Sequence, residues 1–396
     1  MLIRPALGCL VLFLMTFTST LSMSAAQAGT PKDAQDERNF LVHIGTYTGG
    51  RSQGIYVSRF DASTGELGEP ELAAAIQSPS FLALGPQGRF LYAVNEIGNF
   101  AGTSSGAVSA FSVDSRTGKL TLLNQVSSGG NGPCHVVVDP GGKCAVVANY
   151  GGGSVEVVPI LNDGRLGDPS AFIQHRGTSI NPRRQEGPHA HCVALDRTGR
   201  LAYVADLGLD EVLIYRLDAS KGLLSPNVPA AGRLKPGSGP RHLVFDATGK
   251  FAYVINELSS SITVFDCDPS SGAMREVQSI STRPTDAVTE NSTAEVLLHP
   301  SGRFVYGSNR GDNNVAVFSR DAKTGKLTSV QYVSTQGKTP RNIALDPTGN
   351  FLLAANQDSD SVVVFRVDPS TGHLAQAGQP VTVGRPVCLT FMPEKR

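Results

Sequence analysis

Residues 133–149 read PCHVVVDPGGKCAVVAN: an apolar run, a turn of Asp139-Pro140-Gly141-Gly142, and a second apolar run closed by Asn149. Each run has strand length, and the intervening residues are turn formers, so the stretch predicts a β-hairpin. Tyr150-Gly151-Gly152-Gly153 then leads to a third strand over Ser154–Pro159, with a fourth short strand beyond Asn162-Asp163-Gly164. The unit is a four-stranded antiparallel sheet.

The same spacing recurs along the chain. A turn Gly is followed seven residues later by Asn or Asp at Gly88/Asn95, Gly142/Asn149, Gly199/Asp206, Gly249/Asn256, Gly302/Asn309 and Gly349/Asn356. Successive turn glycines are 54, 57, 50, 53 and 47 residues apart. A period near 50 in strand-rich sequence predicts propeller blades. A second hairpin recurs as Ser63-Thr64-Gly65, Arg116-Thr117-Gly118, Asp163-Gly164, Lys221-Gly222, Ser271-Gly272, Lys323-Thr324-Gly325 and Ser370-Thr371-Gly372, which makes seven. The inner hairpins number six. The seventh is split between Pro386–Met392 and Phe40–Gly45, so the chain ends complete one blade and close the ring. The expected fold is all-β: a seven-bladed β-propeller in one domain over residues 39–396.

Residues 1–28 have another character. Arg4 precedes the apolar stretch Leu7–Phe17, and Ala26-Gln27-Ala28 follows, the layout of a cleaved secretory signal. Residues 29–38 are polar and read as a flexible leader. The expectation is an exported protein without a membrane span once the signal is removed. Lys+Arg and Asp+Glu both total 34, without a long basic run, which excludes a general nucleic-acid binder. Cys134, Cys144, Cys192, Cys267 and Cys388 are odd in number and scattered through apolar contexts, so buried thiols are expected rather than disulfides. Without CxxC or HExxH, neither a metal nor another cofactor is expected.

Antiparallel geometry puts the start of every inner strand and the end of every second strand on one face. That face collects His135, His189 and His191, Arg241 and His242, Glu295, Arg341, and the residues after the repeated Asn: Glu96, Tyr150, Glu257, Arg310 and Gln357. The long loops around His175–Pro188 and Ser281–Thr293 lie there too. The repeated Asn and Asp read first as caps for turns and strand ends, although Asn149 and Asn309 also stand near enough to the mouth to meet a substrate. Equivalent inner-strand positions carry Cys134, His191, Arg241 and Arg341; that broken symmetry suits an asymmetric ligand. The arginines offer planar, permanently charged donors to a carboxylate, phosphate or oxyanion, and His191 or Glu257 can move protons. The partner expected is a small anionic or polyhydroxyl molecule.

At these residues the chain resembles the seven-bladed propeller lactonases, the 6-phosphogluconolactonase family that includes fungal carboxymuconate cycloisomerases. The resemblance covers residues 40–392. It rests on Gly45-Thr46-Tyr47-Thr48, Gly54-Ile55-Tyr56, Val94-Asn95-Glu96, Ala148-Asn149-Tyr150, His189-Ala190-His191, Gly239-Pro240-Arg241-His242, Asn256-Glu257-Leu258, Ser308-Asn309-Arg310 and Ala355-Asn356-Gln357, in that order. It implies metal-independent hydrolysis of a sugar lactone, with His191, Arg241, Glu257 and Arg310 as catalytic residues. His135, His189, His242, Glu295, Arg341, Asn149 and Asn309 are the accompanying substrate-binding candidates. The phosphorylated lactone is cytosolic, so an exported member is expected to act on another lactone. A non-catalytic binding propeller and a cycloisomerase acting on a muconate-type dicarboxylate are the competing readings.

Overall fold

The computed structural model describes residues 38–395. The expected signal segment, and all of the expected leader except Arg38, lie outside the described residues. Seven antiparallel sheets follow one another around a ring. The innermost strands are Phe81–Leu84, Pro133–Val138, Ala190–Leu195, Pro240–Phe245, Ser292–Leu298, Pro340–Leu345 and Pro386–Pro393. Each packs beside the next, and Pro386–Pro393 returns to Phe81–Leu84. The ring closes as the split hairpin predicts: Asn39–Thr46 pairs on one side with Gly54–Asp61 and on the other with Pro386–Pro393.

The repeated residues hold this geometry for identifiable reasons. In the turn of residues 139–142, Gly142 has φ +65°, a conformation that costs Gly least. The Asp139 carboxylate accepts from Gly141 N at 2.8 Å, Lys143 N at 2.5 Å and Cys144 N at 2.7 Å. Apolar side chains from neighbouring blades interlock between the sheets. Tyr92, Val94 and Val108 of one blade, for example, share a cluster with Ala145, Val147 and Val158 of the next. This is how a propeller spreads its core.

Four of the five repeated Asn side chains are inter-blade ties, while Asn256 donates within its own blade to Ser261 Oγ and Thr263 Oγ1. Nδ2 of Asn95, Asn149, Asn309 and Asn356 donates to Gln77 O, Ser128 O, Thr282 O and Thr335 O at 2.6, 2.8, 2.8 and 3.0 Å. Each acceptor lies just past the outer strand of the preceding blade. At the one Asp of the series the partner changes from an acceptor to a nitrogen: Asp206 Oδ2 lies 2.6 Å from Nδ1 of His175, and both side chains are fully buried. On the opposite face, Tyr92, Tyr253 and Tyr306 each donate a hydroxyl to the turn Gly of the next blade, at 3.1 Å in all three cases.

One feature of the inner strands is absent from any counting of sequence. Pairing with the second strand slips between Ala190 and Cys192, between Pro240 and His242, and between Pro340 and Asn342. The same slip sets off Cys134, because Ala148 pairs with His135 and Asn149 with Pro133. His191, Arg241, Arg341 and Cys134 are therefore the extra residues of β-bulges. A bulge re-aims its side chain without interrupting the sheet.

Candidate active site

Three of the bulge residues, Cys134, His191 and Arg341, line a cavity of about 330 Å³. Its wall is Glu96, Cys134, Tyr150, Arg184, His191, Glu257, Ser292, Arg310 and Arg341. A larger depression of about 580 Å³ lies among turns of the opposite face, beside Asp139, Asp196 and Arg200. Its lining is mostly turn residues whose carboxylates already cap backbone N–H groups, whereas the smaller cavity gathers several charged side chains around the buried Glu257. The smaller cavity is the candidate site.

Glu257 is its centre. Its side chain is 6 % exposed, and three guanidiniums surround it: Arg184 Nη2 at 2.6 Å from Oε1, Arg310 Nη2 at 2.8 Å from Oε2, and Arg241 Nε at 3.2 Å from Oε2. The Arg241 contact is ionic and off the hydrogen-bonding direction, since that Nε makes no hydrogen bond. Arg241 and Arg310 are themselves fixed by donating to Ala294 O and Thr293 O, both at 2.7 Å. Burial alone would raise the Glu257 pKa, but the charges of Arg310, Arg241 and Arg184 overcome it and hold the carboxyl far below the usual range. Burial, with Arg310 and Arg341 nearby, brings Arg241 down to about 10, so it is still a cation at neutral pH.

A second carboxylate, Glu96, is on the wall. Glu96 Oε2 accepts from Tyr47 Oη at 2.8 Å and Ser80 Oγ at 2.6 Å. The Tyr47 ring carries the Arg341 guanidinium 5.4 Å from its centroid. His191 is on the same wall. Its Nδ1 is 3.7 Å from Cys134 Sγ, and its Nε2 has no hydrogen-bond partner among the described residues. Burial, then the charges of Arg241, His242 and Arg341, push its pKa well below 6.5, so the imidazole is neutral at pH 7.

Of the eleven candidates, His191, Glu257, Arg310 and Arg341 are on the cavity wall, with Arg241 directly behind Glu257. His189 is at the rim: its ring stacks on Tyr150 at 4.6 Å, and its Nδ1 meets Tyr150 O at 3.0 Å. His135, His242 and Glu295 are off the wall and packed together deeper in the ring. His135 lies against Phe81, with ring centroids 4.1 Å apart, and His242 Nδ1 is 2.8 Å from Glu295 Oε1. Asn149 and Asn309 spend their amides on the inter-blade ties, so groups expected at a substrate instead join neighbouring blades. Gln357 is also off the wall.

His135, Cys192 and His242 bring metal-type donors within 4.8 Å of one another. Val193 N donates to His135 Nδ1 at 3.4 Å, which leaves the proton of that ring on Nε2, 3.5 Å from Cys192 Sγ. Two of the three donors thus satisfy each other by hydrogen bonding.

Arg184 is the wall residue that the repeat could not reveal. It comes from the loop between Ala171–Gln174 and Ala190–Leu195, outside the repeat register. The length of that loop and the pair Arg183-Arg184 were the available signals. Cys134 and Ser292 were likewise not among the candidates.

A model of the family "Lactonase, 7-bladed beta-propeller" matches residues 41–391. The chain belongs to the seven-bladed β-propeller lactonases. Within this lactonase family it is 35 % identical over 303 residues to the 6-phosphogluconolactonase of Bacillus subtilis, covering 76 % of this chain and 84 % of that protein. It is 32 % identical over 308 residues to the 6-phosphogluconolactonase of Formosa agariphila, covering 76 % and 85 %. The solved structure of the periplasmic gluconolactonase PpgL from Pseudomonas aeruginosa superposes with a TM-score of 0.85 at 35 % identity, over 90 % of this lactonase chain and 100 % of the other.

Proposed function

We propose that the protein hydrolyses a sugar lactone at the Glu257 cavity, with His191, Glu257, Arg241 and Arg310 as its working residues. One observation carries the reading: three guanidiniums converge on one buried carboxylate, on the wall of a cavity that is large enough for a sugar ring and that the neutral imidazole of His191 also lines. Arg310 and Arg341 on the wall offer donors to a lactone carbonyl and stabilise the oxyanion that forms when water adds. Glu257 and His191 are the proton acceptors able to activate that water, and the ring oxygen takes the proton as the acyl bond breaks. Arg241 positions Glu257 from behind. No step calls on a metal.

Export is part of the proposal. It is supported by the Arg4, Leu7–Phe17 and Ala26-Gln27-Ala28 pattern and by the likeness to a periplasmic gluconolactonase. Among the described residues no helix is long and apolar enough to cross a membrane.

The test is hydrolysis of gluconolactone and 6-phosphogluconolactone by purified protein, with Glu257→Ala as the control for spontaneous opening. Turnover above that control on either lactone supports the reading. Turnover on neither, with formation of a lactone from a muconate-type dicarboxylate, replaces hydrolase by cycloisomerase.

A further inference from the structure

We infer that Arg184 is a displaceable cap on Glu257: an anionic group of the substrate draws its guanidinium off Oε1 and frees that oxygen to take a proton from the attacking water. The inference deepens the lactonase reading and rests on it.

The two oxygens of Glu257 are held unequally. Oε2 is shared by Arg310 and Arg241, whose side chains are 12 % and 3 % exposed and are each tied to a backbone carbonyl. Oε1 is bonded by Arg184 alone. That side chain is 40 % exposed, and its other hydrogen bond goes to the Tyr150 hydroxyl at 3.0 Å. Taking a buried guanidinium from its carboxylate leaves an unpaired buried charge, a large loss; moving a half-exposed one from one anion to another costs little.

The loop permits this exchange without unfolding. Gln185, next to Arg184, is fully buried and donates from Nε2 to Leu207 O at 2.9 Å, while its backbone N donates to Asn181 O at 2.8 Å. The backbone is thereby pinned beside Arg184, and the long side chain is the part able to swing. Charge supplies the drive. On the cavity wall Arg184, Arg310 and Arg341 outnumber Glu257 and Glu96, while Arg241 beside Glu257 is balanced by Glu295, so the wall has an excess of positive charge that an anionic substrate would offset.

The chemistry closes without a co-reactant. One water proton passes to Glu257 Oε1, and the water oxygen forms a bond to the lactone carbonyl carbon. The tetrahedral oxyanion then collapses, the bond to the ring oxygen breaks, and the proton returns from Glu257 to that oxygen. Lactone and water become the hydroxy acid. Arg184, meanwhile, holds the substrate's anionic group.

The test compares wild type, Arg184→Gln and Arg184→Lys on neutral gluconolactone and anionic 6-phosphogluconolactone. Loss of a charge-assisted hydrogen bond should raise KM for the phosphorylated lactone by roughly tenfold or more in Arg184→Gln. The same variant should raise kcat on the neutral lactone, because its base is no longer capped. Arg184→Lys should recover part of the phosphorylated-substrate KM. A neutral-lactone kcat that is unchanged or falls, or KM values that move together for both lactones, overturns the cap while leaving the lactonase reading intact. Wild-type protein that opens neither lactone overturns both.

Discussion

His242 Nδ1 lies 2.8 Å from Glu295 Oε1, in a buried pair beneath the cavity rather than on its wall. Glu295 also accepts from Asn342 Nδ2 at 2.7 Å and from Val296 N at 3.1 Å, so its carboxylate joins three inner strands. Glu295→Ala would leave those donors buried and unpaired. A loss of about 3 kcal/mol of stability is expected, read from urea unfolding. A loss below about 1 kcal/mol would show that the floor of the channel is hydrated and does not need the carboxylate.

Glu257 predicts an acid limb of stability. Its folded pKa is depressed, so its contribution is present above the unfolded value, near 4.3, and is lost as pH falls towards the folded value. Melting curves between pH 7 and pH 2 should show wild type losing stability below about pH 4. Glu257→Gln should be less stable at pH 7 and should lack this component of the acid loss. Parallel pH profiles for the two proteins would mean that the guanidiniums do not hold the carboxylate as described.

His191 predicts the shape of a pH–rate profile. Its pKa is held well below 6.5, through burial and then the charges of Arg241, His242 and Arg341, so the imidazole does not titrate in the ordinary histidine range. The kcat/KM of lactone hydrolysis should show no inflection near 6.5. His191→Asn should lower kcat on the order of 10²-fold with little change in melting temperature. Equal losses of rate and stability would make the residue a packing element.

Gly372 tests the joint between blades. Its φ is +75°, a Cβ there would lie 2.5 Å from Phe304 Cδ1, and its carbonyl accepts from Tyr306 Oη at 3.1 Å. Gly372→Ala combines a left-handed backbone with a collision, and at least about 2 kcal/mol of destabilisation is expected from equilibrium unfolding. Tyr306→Phe removes only the hydrogen bond and should cost about 1 kcal/mol. A near-neutral Gly372→Ala would show that Phe304 moves aside freely.

The legible part of this protein is what repeats. Turn glycines need a positive φ wherever the hairpin occurs, so Gly142, Gly199 and Gly349 mark their blades whatever surrounds them. The split hairpin of Phe40–Gly45 and Pro386–Met392 likewise foretold ring closure, because the unpaired half of an inner hairpin at each terminus has one available partner. The turn glycines of the outer hairpins were explained by φ alone. At Gly65, Gly164, Gly325 and Gly372 a second reason, a phenylalanine ring of the preceding blade lying against the turn, needs the neighbour in place.

At the site, chain order brought His191, Arg241, Glu257 and Arg310 to one face, since antiparallel strands start and finish at fixed ends. It did not separate His191 from His189, or Arg341 from His242 and Glu295. That separation is made by the bulges at Cys134, His191, Arg241 and Arg341. A bulge is a property of the pairing between two strands, so neither strand's sequence announces it. Arg184 is hidden for a related reason: a residue in a loop has no repeat position, and its meeting with Glu257 spans 73 residues of chain. Sequence by itself determined the blades, their number and which residues start or end strands on a common face, because local turn chemistry and strand period suffice for those. Only the closed ring decided which side chains share the cavity, because it is closure that brings separate blades to a common axis.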